Sequence, residues 1–432
     1  MTVGLVVAGL LVAVLGLGVW VGLALFGVGA MALELFRTMP VEKLAAQVVW
    51  NTTTSSELIA LPLFILMAEV LFRTRLSASL FRGLAPWTAW LPGRLLHINV
   101  LGCTLFAAVS GSSAATTATV GRITVGELFA RGYDRSLAMG SLAGAGTLGF
   151  LIPPSVIMII YGVLAEVSIL KLFLAGVIPG LMLAFAYMVY LGVRASLRPA
   201  LVGAMVAEVS WRARGQAVVH LAPVVFLIVA VMGSMYGGLA SPTEAAAVGV
   251  LGAFVGAAAQ RSLTWANVSA ALLGAARTSS MIGLIIASAV FLSVAMGFLG
   301  VPRAVAGAIA AMKLSPMGLI LVLLVFYAAL GCVLEGLSSI VMTLPITLPL
   351  VTDAGFDPVW FGVFLVLVVE MAQITPPVGF NLFVIQGLTG ERIGRIAVAA
   401  LPFFLIMIGF TVLVALVPEI VLYLPDHIRL RG

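Results

Sequence analysis

Charge is what this chain has least of. Only 9% of its 432 residues are Asp, Glu, Lys or Arg, 62% are apolar, and the mean hydropathy is +1.24. Soluble domains are about half apolar and a quarter charged, so a soluble enzyme is excluded. The sequence reads as an all-α membrane protein. A crossing takes about 20 residues, so the length allows about ten to twelve crossings or re-entrant pieces. Lysine is nearly absent, with only Lys43, Lys171 and Lys313. The basic residues behind the net charge of +6 stand singly in short loops. That is the pattern of topology determinants in a bilayer, not of nucleic-acid binding. Histidine is scarce too: His97, His220 and His427 each fall near an expected membrane boundary. The two cysteines, Cys103 and Cys332, both follow Leu-Gly in apolar runs and read as buried small hydrophobes. No G-x-x-x-x-G-K-[ST] or H-E-x-x-H motif is present, so neither ATP hydrolysis nor zinc hydrolysis is expected. Ser110-Gly111 suggests an intramembrane serine hydrolase, but no positioned base accompanies it. No catalytic residue, cofactor or resident metal is expected.

What the chain does have is two Pro-Pro breaks inside apolar segments, Leu151-Ile152-Pro153-Pro154-Ser155 and Ile374-Thr375-Pro376-Pro377-Val378. Each follows a small, hydroxyl-rich stretch by about forty residues, Ser110-Gly111-Ser112-Ser113 and Gly336-Leu337-Ser338-Ser339. Proline frees backbone carbonyls, which hydrocarbon does not solvate, so such breaks belong where protein or a polar cavity receives them. One matching break per half points to an ion and solute site at the membrane midplane. The halves are in register. Pro92 and Pro316 lie 224 residues apart, Pro153 and Pro376 lie 223, Pro179 and Pro402 lie 223, and the Ser-Ser pairs lie 226.

Four regions follow. Residues 1–90 read as N-terminal scaffold helices: one retained span over 3–30, an interfacial amphipathic helix over 35–56, and a span over 58–72. A basic loop with Trp87 and Trp90 as interfacial anchors follows at 73–94. Residues 91–193 form the first repeat, with a re-entrant hairpin whose tip is 110–117, a helix broken at Pro153-Pro154, and a span over 172–193. Residues 194–314 hold a cytoplasmic connector and spans over 218–236, 245–259 and 280–299. Ser241-Pro242-Thr243-Glu244 there is strong N-terminal capping chemistry. Residues 315–432 form the second repeat, broken at Pro376-Pro377. Basic residues flank the first hairpin, and the stretch that follows the second, Asp353 to Asp357, holds none, so their mouths are expected on opposite faces, as in an inverted repeat.

The chemistry available is oxygen. Candidate sodium-site residues are Ser110, Gly111, Ser112, Ser113, Glu335, Gly336, Ser338, Ser339, Thr375 and Pro376. Candidate substrate contacts are Thr116, Thr117, Pro153, Pro154, Ser155, Pro377 and Asn381. A hard cation suits hydroxyl and carbonyl ligands, while half-helix N-termini attract a carboxylate. For either serine cluster alone, close helix packing explains the residues equally well; the paired prolines favour the site. Glu370, on the approach to the second break, stays open between an ion-site and a structural role.

Several stretches resemble the large membrane subunit of a tripartite ATP-independent periplasmic (TRAP) transporter. They are Leu105 to Ser113, Ile152-Pro153-Pro154-Ser155 with Tyr161-Gly162-Val163, Ser241 to Ala247, and Glu370 to Gly387 with Ile374-Thr375-Pro376-Pro377-Val378-Gly379-Phe380-Asn381-Leu382. The resemblance implies an elevator-type, sodium-coupled importer of an organic acid, dicarboxylate by default, in a bacterial inner membrane. It also implies two partners: a small four-helix membrane subunit, expected as a separate chain, and a periplasmic substrate-binding protein. Two departures bear on ion or substrate preference. Thr116 and Thr117 stand where many relatives carry an acid, and Glu335 stands where aspartate is common. The competing reading is a self-sufficient ion-coupled organic-anion permease that needs no binding protein.

Overall fold

The computed structural model describes residues 2–37, 39–74, 76–203, 210–311, 314–331, 334–376 and 379–428. Regular structure among the described residues is helical only, as expected for an all-α membrane protein. The run over 3–30 is two helices rather than one span: α1 (Thr2–Gly16) and α2 (Val21–Phe36). Leu17 and Gly18 close α1 onto the carbonyls of Ala13 and Leu15, and Gly18 takes φ 79°, the left-handed conformation that ends a helix. The amphipathic stretch forms α3 (Val41–Thr53) and buries Val41 and Ala45 against Leu33, Phe291 and Ala295. A bend of 54° separates α3 from Ser56–Arg73, which contains α4 (Ala60–Arg73). The basic stretch 73–94 is not a loop. It holds α5 (Leu76–Thr88), because Leu80 and Leu84, one turn apart, have a core to enter. Trp87 and Trp90 stay exposed beyond that face.

The next five helices are α6 (Leu96–Ser110), α7 (Ser113–Ala130), α8 (Arg135–Gly146), α9 (Val156–Ala165) and α10 (Ile169–Leu197). A scaffold set follows: α11 (Trp211–Tyr236), α12 (Pro242–Ala259), α13 (Trp265–Phe298) and α14 (Val301–Ala311). At 34 residues, α13 is far longer than the span expected over 280–299. Then come α15 (Pro316–Gly331), α16 (Gly336–Asp353), α17 (Pro358–Gln373), α18 (Phe380–Thr389), α19 (Ile393–Leu416) and α20 (Glu419–His427). The order α6 to α10 recurs as α15 to α19. Ser113 and Gly336 open α7 and α16, 223 residues apart, and Val156 and Phe380 open α9 and α18, 224 apart.

By length and composition six helices can each cross a bilayer, α10, α11, α12, α13, α16 and α19, or seven crossings if the bent pair is one span. The remaining apolar helices are short and fall mainly beside the tips and breaks. Helices α2, α4, α12 and α13 pack into one body, and the two recurring sets interlock, α8 on α19 and α7 on α18. The α8–α19 contact is close because Gly140 leaves no side chain: a Cβ there would lie 2.1 Å from the Ala399 carbonyl oxygen. At the centre, α17 is buried on every face from Val359 to Gln373. A helix apolar all round belongs there, and it carries one carboxylate, Glu370.

Candidate functional site

The first tip is shorter than expected. Helix α6 ends at Ser110, Gly111 takes φ 58°, and α7 begins at Ser113. Ser112 accepts from the Ala115 amide as an N-cap, which draws 113–117 into the helix. Gly111 is required twice over. Its backbone is left-handed, and a Cβ would lie 2.7 Å from the Pro154 carbonyl oxygen. The tip therefore sits on the first break, and the Val156 amide donates to the Gly111 carbonyl at 3.2 Å. In the break, α8 gives way to a tight turn over Thr147–Gly149, and Ser155 caps α9 by accepting from the Met158 amide. A Cβ on Gly149 would lie 2.4 Å from the Ser113 Cα.

Ser113 is the joint. Its hydroxyl lies 2.9 Å from the Gly146 carbonyl oxygen and 2.8 Å from Glu370 Oε2, and it accepts from Asn381 Nδ2 at 2.9 Å. Glu370 Oε1 accepts from the Phe150 amide at 2.8 Å. Ser110 and Thr116 share a hydroxyl–hydroxyl bond of 2.8 Å, and the Thr117 hydroxyl donates to the Ser113 carbonyl at 2.9 Å. Asn381 is fully buried and its Oδ1 has no partner. Buried orphan acceptors are uncommon. With the Ser113 hydroxyl and the Gly146 carbonyl, Asn381 presents neutral oxygens of the kind a hard cation takes.

The second tip is organised differently. Glu335 is the N-cap of α16, but its carboxylate makes no capping bond and is exposed. Gly336 lets α16 abut α17: a Cβ there would lie 2.1 Å from Val369 Cγ1. Ser338 and Ser339 are buried, and the Ser339 hydroxyl donates to its own helix at the Glu335 carbonyl, 3.1 Å away. Thr375 donates to the Met371 carbonyl, and Pro376 is exposed. Pro377 lies outside the described residues. Gln373, which the sequence did not single out, is buried beside Gly336, and its Oε1 has no partner. Only the glutamine's position, two residues before the break's threonine, could have drawn attention to it.

Both tips meet one cavity of about 290 Å³, at the small end of the roughly 300–1,000 Å³ of ligand sites. One wall is Ser110, Ser112, Phe150, Val156, Glu335 and Leu337; the other is Glu69 and Phe72 of α4 with Thr278 and Met281 of α13. Glu69 is paired with Arg73 at 2.9 Å. No lysine, arginine or histidine among the described residues lines the cavity. Three of the ion candidates, Ser110, Ser112 and Glu335, face it. The substrate candidates Thr116, Thr117, Pro153, Pro154, Ser155 and Asn381 do not line it and are all buried behind the first tip.

Helices broken in pairs around a small cavity define a membrane transporter fold. The YdaH transporter of Alcanivorax borkumensis has this fold: it superposes with a TM-score of 0.64 at 16% identity, over 92% of this chain and 96% of that one. The sequence places the chain more closely. Residues 8–420 match the family described as the tripartite ATP-independent periplasmic transporter, DctM component, and the chain belongs to that family. Among its relatives is the C4-dicarboxylate TRAP transporter large permease protein DctM of Pseudomonas aeruginosa. It is 34% identical, with 92% of each chain covered. Another is the isethionate TRAP transporter permease protein DctMQ of Oleidesulfovibrio alaskensis, 31% identical over 95% of this chain and 64% of that one. These relatives are transport proteins, not enzymes.

Proposed function

We propose that this permease subunit imports a small organic acid together with sodium, and that a periplasmic binding protein delivers the acid. What supports the reading is the convergence of both hairpin tips and the first break on one cavity. That cavity presents an unpaired carboxylate, Glu335, and no cationic side chain among the described residues. An organic anion entering it needs positive charge from elsewhere. The N-terminus of α7 supplies part, and sodium held at the tips supplies the rest. Import is by an elevator movement, in which α6 to α10 and α15 to α19 carry the site past α2, α4, α12 and α13 as an inverted-repeat body. The chain sits in a bacterial inner membrane.

The relatives named above carry a C4-dicarboxylate and isethionate, so a C4-dicarboxylate is the first substrate to test and a sulfonate the second. The small four-helix subunit works beside this chain. The fused DctMQ relative makes a single-chain arrangement equally workable in the family. Reconstitution with and without the binding protein and the small subunit tests the proposal. Uptake is expected only with all components, and uptake by this chain alone would favour a self-sufficient permease.

A further inference from the structure

Glu370 is the only carboxylate in the buried set among the described residues, and no arginine or lysine pairs with it there. Both its oxygens serve the other half of the chain, one at the Ser113 hydroxyl and one at the Phe150 amide, each at 2.8 Å. Glu370 precedes the second break, and Asn381, which follows it, reaches the same hydroxyl at 2.9 Å. The residues on either side of the second break thus grip the tip of the first hairpin.

The grip runs one way. At the spacing of 223 that relates Ser113 to Gly336, Thr147 stands in the place of Glu370. Its hydroxyl donates to the Gly144 carbonyl at 2.6 Å and lies 3.3 Å from the Tyr187 hydroxyl, both within its own half. Gly336, in the place of Ser113 at the same spacing, has no side chain to be gripped. A symmetric pair of repeats would have two such clasps; among the described residues there is one.

We propose that Glu370 is a positioning residue, with Asn381 as its second arm. Together they set the distance between the first tip and the first break, and they pass the state of the second break to the first tip. A shift at Ile374, Thr375 or Gly379 that displaces Glu370 or Asn381 loosens Ser113, and with it the Gly146 carbonyl that Ser113 meets. The proposal rests on the functional reading above in taking the Ser113 and Gly146 oxygens as part of the transport site.

The test uses the complete complex in proteoliposomes, with Ser112→Cys in a Cys103→Ala, Cys332→Ala background. Ser112 faces the cavity, so a maleimide reports how open the tip is. Glu370→Leu removes both acceptors and is expected to raise the labelling rate about tenfold, the scale of one lost buried hydrogen bond. Glu370→Gln keeps an acceptor for the Phe150 amide and a donor for Ser113, and it should stay near the parent rate. Asn381→Ala is the second variant should Glu370→Leu fail to insert, and it too should raise labelling. Thr352→Ala, which removes only bonds within α16, should leave it unchanged. Equal labelling in the parent and in every inserted Glu370 or Asn381 variant would overturn the clasp. A parallel sodium titration of uptake should show a higher half-saturating sodium concentration in Glu370→Leu, with the substrate KM unchanged. Uptake by the parent that ignores sodium would sink the ion reading, while the labelling rates would still decide the clasp.

Discussion

Ser113 and Glu370, 257 positions apart, share a hydrogen bond of 2.8 Å in the middle of the molecule. Asn381 joins at 2.9 Å, so one hydroxyl binds the first hairpin to both sides of the second break. Ser113→Ala would leave a carboxylate oxygen and an amide without that partner in a dry interior. Each such loss costs about 1–3 kcal/mol. Ser339→Ala removes only a bond within its own helix and should cost about 1 kcal/mol or less. Thermal unfolding in detergent should separate the two, with uptake lost in Ser113→Ala. Equal melting curves for the two variants would remove the special place given to Ser113.

Gly111 offers a sharper test. A Cβ there meets the Pro154 carbonyl oxygen at 2.7 Å in a left-handed backbone, a conformation that costs other residues roughly 1–2 kcal/mol before any clash. Gly126, in the same hairpin, has open space around it. Gly111→Ala should insert but transport poorly, and Gly126→Ala should transport normally. Normal uptake by Gly111→Ala would mean that the tip does not need its seat on the first break.

The readable parts of this molecule were those with local chemistry. Proline marks both breaks, glycine marks the first tip, and Ser241 with Glu244 spells a capping box that is present in full. The split at Gly18 was hidden because every residue around it is apolar, so nothing in hydropathy separates a turn from a span. Helix α5 was hidden by its arginines, although Leu76, Leu80 and Leu84 are spaced one turn apart. Composition alone extends the tip over 110–117, because Ser112 is small and polar like a loop residue, yet it acts as a cap. The contact from Glu370 to Ser113 could not be read at all. It joins residues from different halves, and only tertiary packing brings them together.

The capping box itself predicts a stability effect separate from transport. Ser241→Ala should lower stability by about 0.5–2 kcal/mol, since Ser241 and Glu244 satisfy each other's amides at the start of α12. The KM for substrate should not change. A variant that melts with the parent protein would show that packing, not the cap, fixes this helix end.

The arrangement of the halves is tested by labelling. A cysteine at Ala354 should react from the periplasm and one at Arg131 from the cytoplasm, because Arg131 and Arg135 follow the first hairpin while the stretch after the second, 353–357, holds no basic residue. Reaction of both from a single face would rule out oppositely oriented repeats.

The central claim is that an ion gradient, taken up at the two tips, drives import. The most direct measurement is uptake of labelled C4-dicarboxylate by the reconstituted complex with its binding protein, under separately controlled gradients. Collapsing the sodium gradient at constant membrane potential should stop uptake, and collapsing the pH gradient alone should leave most of it. Uptake that follows the proton gradient and ignores sodium would contradict the account, and Glu335, the exposed carboxylate at the second tip, would then be the first residue to change.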